Sequence, residues 1–138
     1  MPAMRKFMTG ATRDTDDGKL DYDGFLSPLA IERFAQYMDK HRHTPNGLRD
    51  SDNWQAGIPL EVYRKSFLRH ALDAWKLGRA GGLIGEGIEE SLCAVLFNLQ
   101  GWLHEAIKAR GAITSADVTA TARAQYQRSP RRKTGRRR

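Results

Sequence analysis

A single cysteine, Cys93, stands among 138 residues, which excludes an internal disulfide and a zinc site built on paired thiolates. Any metal must be held mainly by carboxylate or imidazole. No apolar run approaches the roughly 20 residues that cross a bilayer, and the segment MPAMRKFMTG has no apolar signal-peptide stretch behind its charges. A soluble, cytoplasmic protein with no membrane partner is expected. Strand-like alternation of any length is missing, as are the GxxxxGK[ST] and GxGxxG phosphate loops and any local motif for Ser/His/Asp or Cys/His nucleophile chemistry. The length suits one domain and excludes a multidomain enzyme.

What the chain has in excess is positive charge, +7 in all, and it is unevenly placed. Residues 128–138, RSPRRKTGRRR, hold seven of the 23 Lys and Arg and no acid, leaving residues 1–127 with 16 basic against 16 acidic side chains. The body is neutral. The tail has nothing apolar to bury and is expected to be a disordered appendage to a domain spanning 1–127.

Residues 1–24 are polar and turn-rich, an arm that needs the body to order it. Ser27 before Pro28 is a helix start, an N-cap followed by a proline where its missing N–H costs nothing. The spacing of Leu29, Phe34, Tyr37 and Met38 predicts a helix to about His41. Residues 42–59 form a loop anchored by Trp54. A second helix follows Pro59, with Val62, Tyr63, Phe67, Leu68, Ala71, Leu72 and Trp75 stepping by three and four to about Gly78. After the glycine break RAGGL a third helix runs from about Gly85 to Ala109 and closes at Gly111. Ser115 and Asp117 offer an N-cap for a short final helix to about Gln127. The fold class is all-α, a small helical bundle.

At about 100° per residue, Glu86, Glu89, Glu90, Cys93 and Phe97 share one arc of the third helix, bordering the stripe of Ile88, Leu92, Val95, Leu96, Leu99 and Leu103 that is expected to face the core. Gathered carboxylates repel unless a counter-charge joins them, and a hard divalent cation such as Mg²⁺ or Mn²⁺ suits oxygen ligands. Three glutamates in a helix's first turns also complement its macrodipole, and spacing alone leaves both readings open. On the second helix, His70 and Asp73 are i,i+3 neighbours and Arg69 and Asp73 are i,i+4 neighbours. A solvated ion pair beside a half-buried histidine explains them; so does a ligand set facing the glutamates across the helix pair.

The arm's DTDDGKLDYDGF imitates a calcium loop, but with Gly18 at the sixth position Arg13 falls first, Thr15 third and Gly24 twelfth, so three expected ligands are missing and an EF-hand is not expected. Lys19 is either solvated or closes over a phosphate. Cys93, in the apolar run LCAVLFNL, reads as structural. Asn98 either meets a partner helix's backbone or a ligand's polar edge.

The blocks GATRDTDDGKLDYDGFLSPLAIERFA, RDSDNW, KSFLRHALDAW and GIEESLCAVLFNLQGWLHE together resemble the phage and bacterial dATP/dGTP diphosphohydrolase family, including the MazZ-type enzymes among the MazG-like all-α nucleotide pyrophosphohydrolases. The resemblance covers residues 9 to about 109. It implies cleavage of a purine deoxynucleoside triphosphate (dGTP, with dATP or GTP as further substrates) to monophosphate and pyrophosphate with Mg²⁺ or Mn²⁺. It also implies a supply of dGMP for phage 2-aminoadenine nucleotide synthesis, action in the host cytoplasm where the protein is phage-encoded, and pairing into a homodimer or homotetramer.

Carried onto this chain, the resemblance implies Asp73, Glu86, Glu89 and Glu90 as metal ligands, with His70, Glu89 or Glu90 orienting the attacking water. Lys19, Lys65 and Arg69 are implied for phosphate charge, and Asn53, Trp54 and Asn98 for base and sugar. The chain departs from the wider ExxE…ExxD pattern: it offers His70xxAsp73 on one helix and Glu86xxGlu89 with Glu90 on the next, and Ala94 sits where an aspartate would pair with position 91. The rival expectation is a non-enzymatic accessory protein that contacts nucleic acid non-specifically through the tail, since seven cations in eleven residues favour salt-sensitive binding.

Overall fold

The computed structural model describes residues 4–111. They divide between two compact units, 4–25 and 26–111. The expected helix over 115–127 and the basic tail lie outside the described residues.

The first unit, expected from its composition to be an extended or looped arm, is extended and carries a short hairpin. Strands β1 (Met4–Lys6) and β2 (Thr12–Asp14) form an antiparallel hairpin with Arg5 opposite Arg13. Gly10, at φ 87°, supplies the left-handed turn residue that a side chain would resist. Arg5 also pairs with Asp16 and lies over the ring of Phe7. A single helical turn, α1 (Tyr22–Phe25), follows.

The second unit is a helical assembly. Helix α2 (Pro28–Lys40) begins as expected: the Ser27 hydroxyl accepts from the Ala30 N–H at 3.2 Å and Pro28 fills the first position. A tight hairpin, β3 (His43–Thr44) with β4 (Gly47–Leu48), and a 3₁₀ turn over Asn53–Ala56 lead to α3 (Leu60–Arg79). After a break with Gly81 at φ 86° and Gly85 at φ 117°, α4 (Glu86–Ala109) returns along α3. Among the described residues the fold is mainly helical with two small two-stranded sheets. No described helix is long and apolar enough to cross a membrane.

Packing reverses one expectation. The leucine stripe of α4 was expected to form the core, yet Leu92 and Leu103 are 53% and 63% exposed, and Leu96 and Leu99 are also open. The buried face of α4 is instead made of small side chains: Cys93, Ala94, Asn98 and Gly101. Small residues let α3 approach, so Tyr63, 1% exposed, lies directly on Gly101. The T-shaped Tyr63–Phe97 and Phe67–Trp102 pairs extend this contact. On α3 as well, Leu68, Leu72 and Trp75 face outward.

Candidate functional site

Arg33 and Tyr37 of helix α2 and its C-cap His41 follow at successive four-residue steps, so all three lie along one face. At the first of these, Arg33 spreads its guanidinium across two neighbouring carboxylates of α4: Nε donates to Glu89 at 2.7 Å and Nη2 donates to Glu90 at 3.0 Å. Lys40 approaches the other Glu90 oxygen at 3.3 Å. The Cys93 thiol, one turn further along α4, donates weakly to the Arg33 carbonyl at 3.9 Å.

The electrostatics follow from this geometry. The bonds to Glu89 and then Glu90 raise the Arg33 pKa above its already high ordinary value, and the Arg33 bond followed by Lys40 holds the Glu90 carboxyl below the usual carboxylate range. Burial raises the Cys93 thiol and the Tyr37 phenol, the latter helped by the negative charge of Glu90. Arg33 and Lys40 therefore supply the counter-charge that the clustered glutamates require. Sequence periodicity missed both residues, although a cation between Leu29 and Tyr37 on the apolar stripe of α2 signals a carboxylate on whatever that stripe meets.

Beyond Arg33, the same face of α2 walls a cleft of about 240 Å³. Tyr37, Trp54, Ile58 and Phe97 supply apolar and aromatic surface, while Arg42, Arg49 and Asn53 supply polar edges. Its wall is braced locally. His41 stacks on Tyr37 with ring centroids 4.1 Å apart and donates to the Tyr37 carbonyl, and Arg42 Nε donates to the Arg49 carbonyl at 2.8 Å. Trp54 anchors the loop, as expected, by an edge contact with His104 of α4 at 4.8 Å.

The remaining expected residues are dispersed. His70 Nδ1 is 4.0 Å from Asp73 Oδ2, the limit of an ion pair, on an open part of α3. Arg69 Nη2 donates to Ser66 Oγ at 2.8 Å, and Lys65 is exposed. Glu86 is exposed at the start of α4. Asn98 is buried at 5% exposure, and its amide donates to the Ala94 carbonyl of its own helix at 2.8 Å rather than to a partner helix's backbone. Lys19 belongs to the first unit, where its N–H closes a turn on the Asp16 carbonyl.

A divalent cation can be tested against this arrangement. The donors are of the right kind, since carboxylate oxygens suit Mg²⁺ and Mn²⁺. Their arrangement is not a ready cradle. Among the described residues no three of His, Cys, Asp and Glu gather to hold an ion, so Asp73 of α3 does not join the α4 glutamates, and Glu89 and Glu90 are already engaged by α2. No family model, curated protein or solved structure matches the chain.

Proposed function

We propose that the protein hydrolyses purine deoxynucleoside triphosphates, dGTP foremost, with dATP or GTP as further substrates, to the monophosphate and pyrophosphate. The observation that carries this reading is the aromatic cleft of Tyr37, Trp54 and Phe97, fringed by arginines and one helical turn along α2 from a carboxylate cluster. Aromatic walls favour a planar base, guanidinium groups favour phosphate, and the two occur together in nucleotides. The resemblance of four sequence blocks to dATP/dGTP diphosphohydrolases supports the same substrate class.

Within this proposal Trp54 stacks on the purine and Asn53 reads its polar edge, while Arg42 and Arg49 join Lys65 and Arg69 as candidates for phosphate charge; Lys19, of the first unit, is a separate candidate. His70, beside Asp73, is the candidate for orienting the attacking water. Mg²⁺ or Mn²⁺ remains the proposed cofactor, with Glu86, Glu89 and Glu90 as proposed ligands and Asp73, which the described geometry does not bring to them, as the fourth; when bound, the ion would neutralise phosphate charge and acidify a water. The outward leucines of α4 support a homodimer or homotetramer, because association would bury surface that the single chain leaves in water. A supply of dGMP for phage 2-aminoadenine nucleotide synthesis remains the proposed use of the product.

The test is direct: purified protein with dGTP and Mn²⁺ should release dGMP and pyrophosphate in equal amounts, and chelation should stop it. Release of dGDP with orthophosphate, or inactivity with every purine triphosphate, overturns the reading. DNA retention by the tail without turnover would favour the accessory-protein rival.

A further inference from the structure

Of the described residues that line the aromatic cleft, Asp50 is the one acid. Arg42 and Arg49 share the rim with it, yet among the described residues its carboxylate joins no ion pair and belongs to no group that could hold a metal ion. A lone carboxylate repels the phosphates of any nucleotide that enters. What it attracts is a pair of donors, and among purines guanine presents such a pair: N1–H and the 2-amino group lie side by side, matched to the acceptor oxygens of a carboxylate. Adenine turns a bare N1 lone pair to the same place. We propose that Asp50 accepts from N1–H and the 2-amino group of a guanine stacked on Trp54, and so selects dGTP over dATP. The assignment rests on the reading of this cleft as the purine site and deepens it by naming the residue that chooses the base.

The backbone holds this rim in place. The Asn53 N–H donates to the Asp50 carbonyl at 3.2 Å, so the two residues close one turn and both line the cleft from it. Immediately before that turn Arg49 is tied twice to Arg42: its N–H donates to the Arg42 carbonyl at 2.8 Å, and its carbonyl accepts from Arg42 Nε at 2.8 Å. Asp50 therefore leaves a fixed point. With Asn53 donating its amide to O6 while Asp50 accepts from N1–H and the 2-amino group, the protein answers all three polar groups of the guanine edge. The arginines cannot take the place of Asp50 there, because a guanidinium only donates and would meet two donors; their charge is left for phosphate.

Calorimetry on the full chain tests this, with the cleavage-resistant α,β-methylene analogues of dGTP, dITP and dATP titrated into wild type, D50N and D50A in the presence of Mg²⁺. Wild type should prefer the guanine analogue to the adenine one by roughly 5- to 150-fold, the discrimination of one bidentate contact. The hypoxanthine analogue, which keeps N1–H and lacks the 2-amino group, should fall between them. D50N and D50A should lose most of the preference by weakening guanine, with adenine bound as tightly as before or more so, and in D50A the 2-amino group should bring no gain over hypoxanthine. Equal binding of guanine and adenine by wild type, or an undiminished preference in both variants, overturns the role of Asp50 and leaves a purine cleft standing. Failure of wild type to bind any of the three overturns the reading of the cleft itself.

Discussion

Tyr63 of α3 rests on Gly101 of α4 so closely that a Cβ at position 101 would stand 2.6 Å from the Tyr63 hydroxyl oxygen and nearer still to the ring. Only hydrogen fits between the helices there. Gly101→Ala should therefore destabilise the protein by about 1–3 kcal/mol, the usual cost of overpacking a close contact, visible as a lower Tm in thermal unfolding. The Tyr63 hydroxyl is buried and finds no hydrogen-bond partner among the described residues, so Tyr63→Phe should leave Tm unchanged or raise it. A native Tm in Gly101→Ala would show that the helices part more readily than this contact implies.

The α4 glutamates should separate by variant. Glu86 takes part in no ion pair among the described residues, whereas Glu90 holds Arg33 and Lys40. Glu86→Gln should lower dGTP turnover by at least about tenfold, the scale of losing an ion's ligand or its support, with Tm unchanged. Glu90→Gln should lower turnover and Tm together. Full activity in both would reduce the acidic arc to a complement of the helix dipole.

Trp54→Ala removes the aromatic wall that the base is proposed to use. Stacking on an aromatic side chain contributes about 1–3 kcal/mol per base, so nucleotide binding should weaken roughly 5- to 150-fold, read as a rise in KM or a loss of fluorescence quenching. The edge contact with His104 is lost too. A thermal scan of the same variant separates weakened binding from a loosened loop.

Glu61, at the first turn of α3, accepts two bonds from Arg64, at 2.6 and 3.0 Å, and these hold its carboxyl below the ordinary value. Because the folded pKa is the lower one, the pair's contribution is complete above the unfolded value and disappears as pH falls through the folded value. In Arg64→Gln the Glu61 midpoint, followed by carbon-detected NMR, should climb back toward the ordinary range. An unmoved midpoint would assign the shift to the helix N-terminus instead.

Much of the helical frame was legible in the sequence. Ser27–Pro28 marked the start of α2 because its signal is local: a hydroxyl, three residues and one N–H. The bounds of α3 and α4 were readable from apolar spacing and the flanking Pro59, Gly85 and Gly111. The orientation of α4 was not. Its leucines outweigh Ala94, Asn98 and Gly101 in any hydropathy pattern, yet close approach by Tyr63 selects the small face. Both hairpins escaped notice because two- and three-residue strands show no alternation. The carboxylate arc was visible in one helix, but its cations sit 50 or more positions earlier in the chain, and only folding brings Arg33 to Glu89.

Cys93 gives the contact between α2 and α4 a built-in clock. It is the chain's one thiol, 6% exposed, with its hydrogen directed at the Arg33 carbonyl. The thiol borders a groove lined by Arg33, Glu89 and Leu92, so a reagent should label it slowly at rest and faster as that contact opens, and a change in the labelling rate reports the opening. Salt, divalent ions or nucleotide that loosen or tighten α2 on α4 will each leave a distinct signature in that rate, measured on the unaltered protein by mass spectrometry.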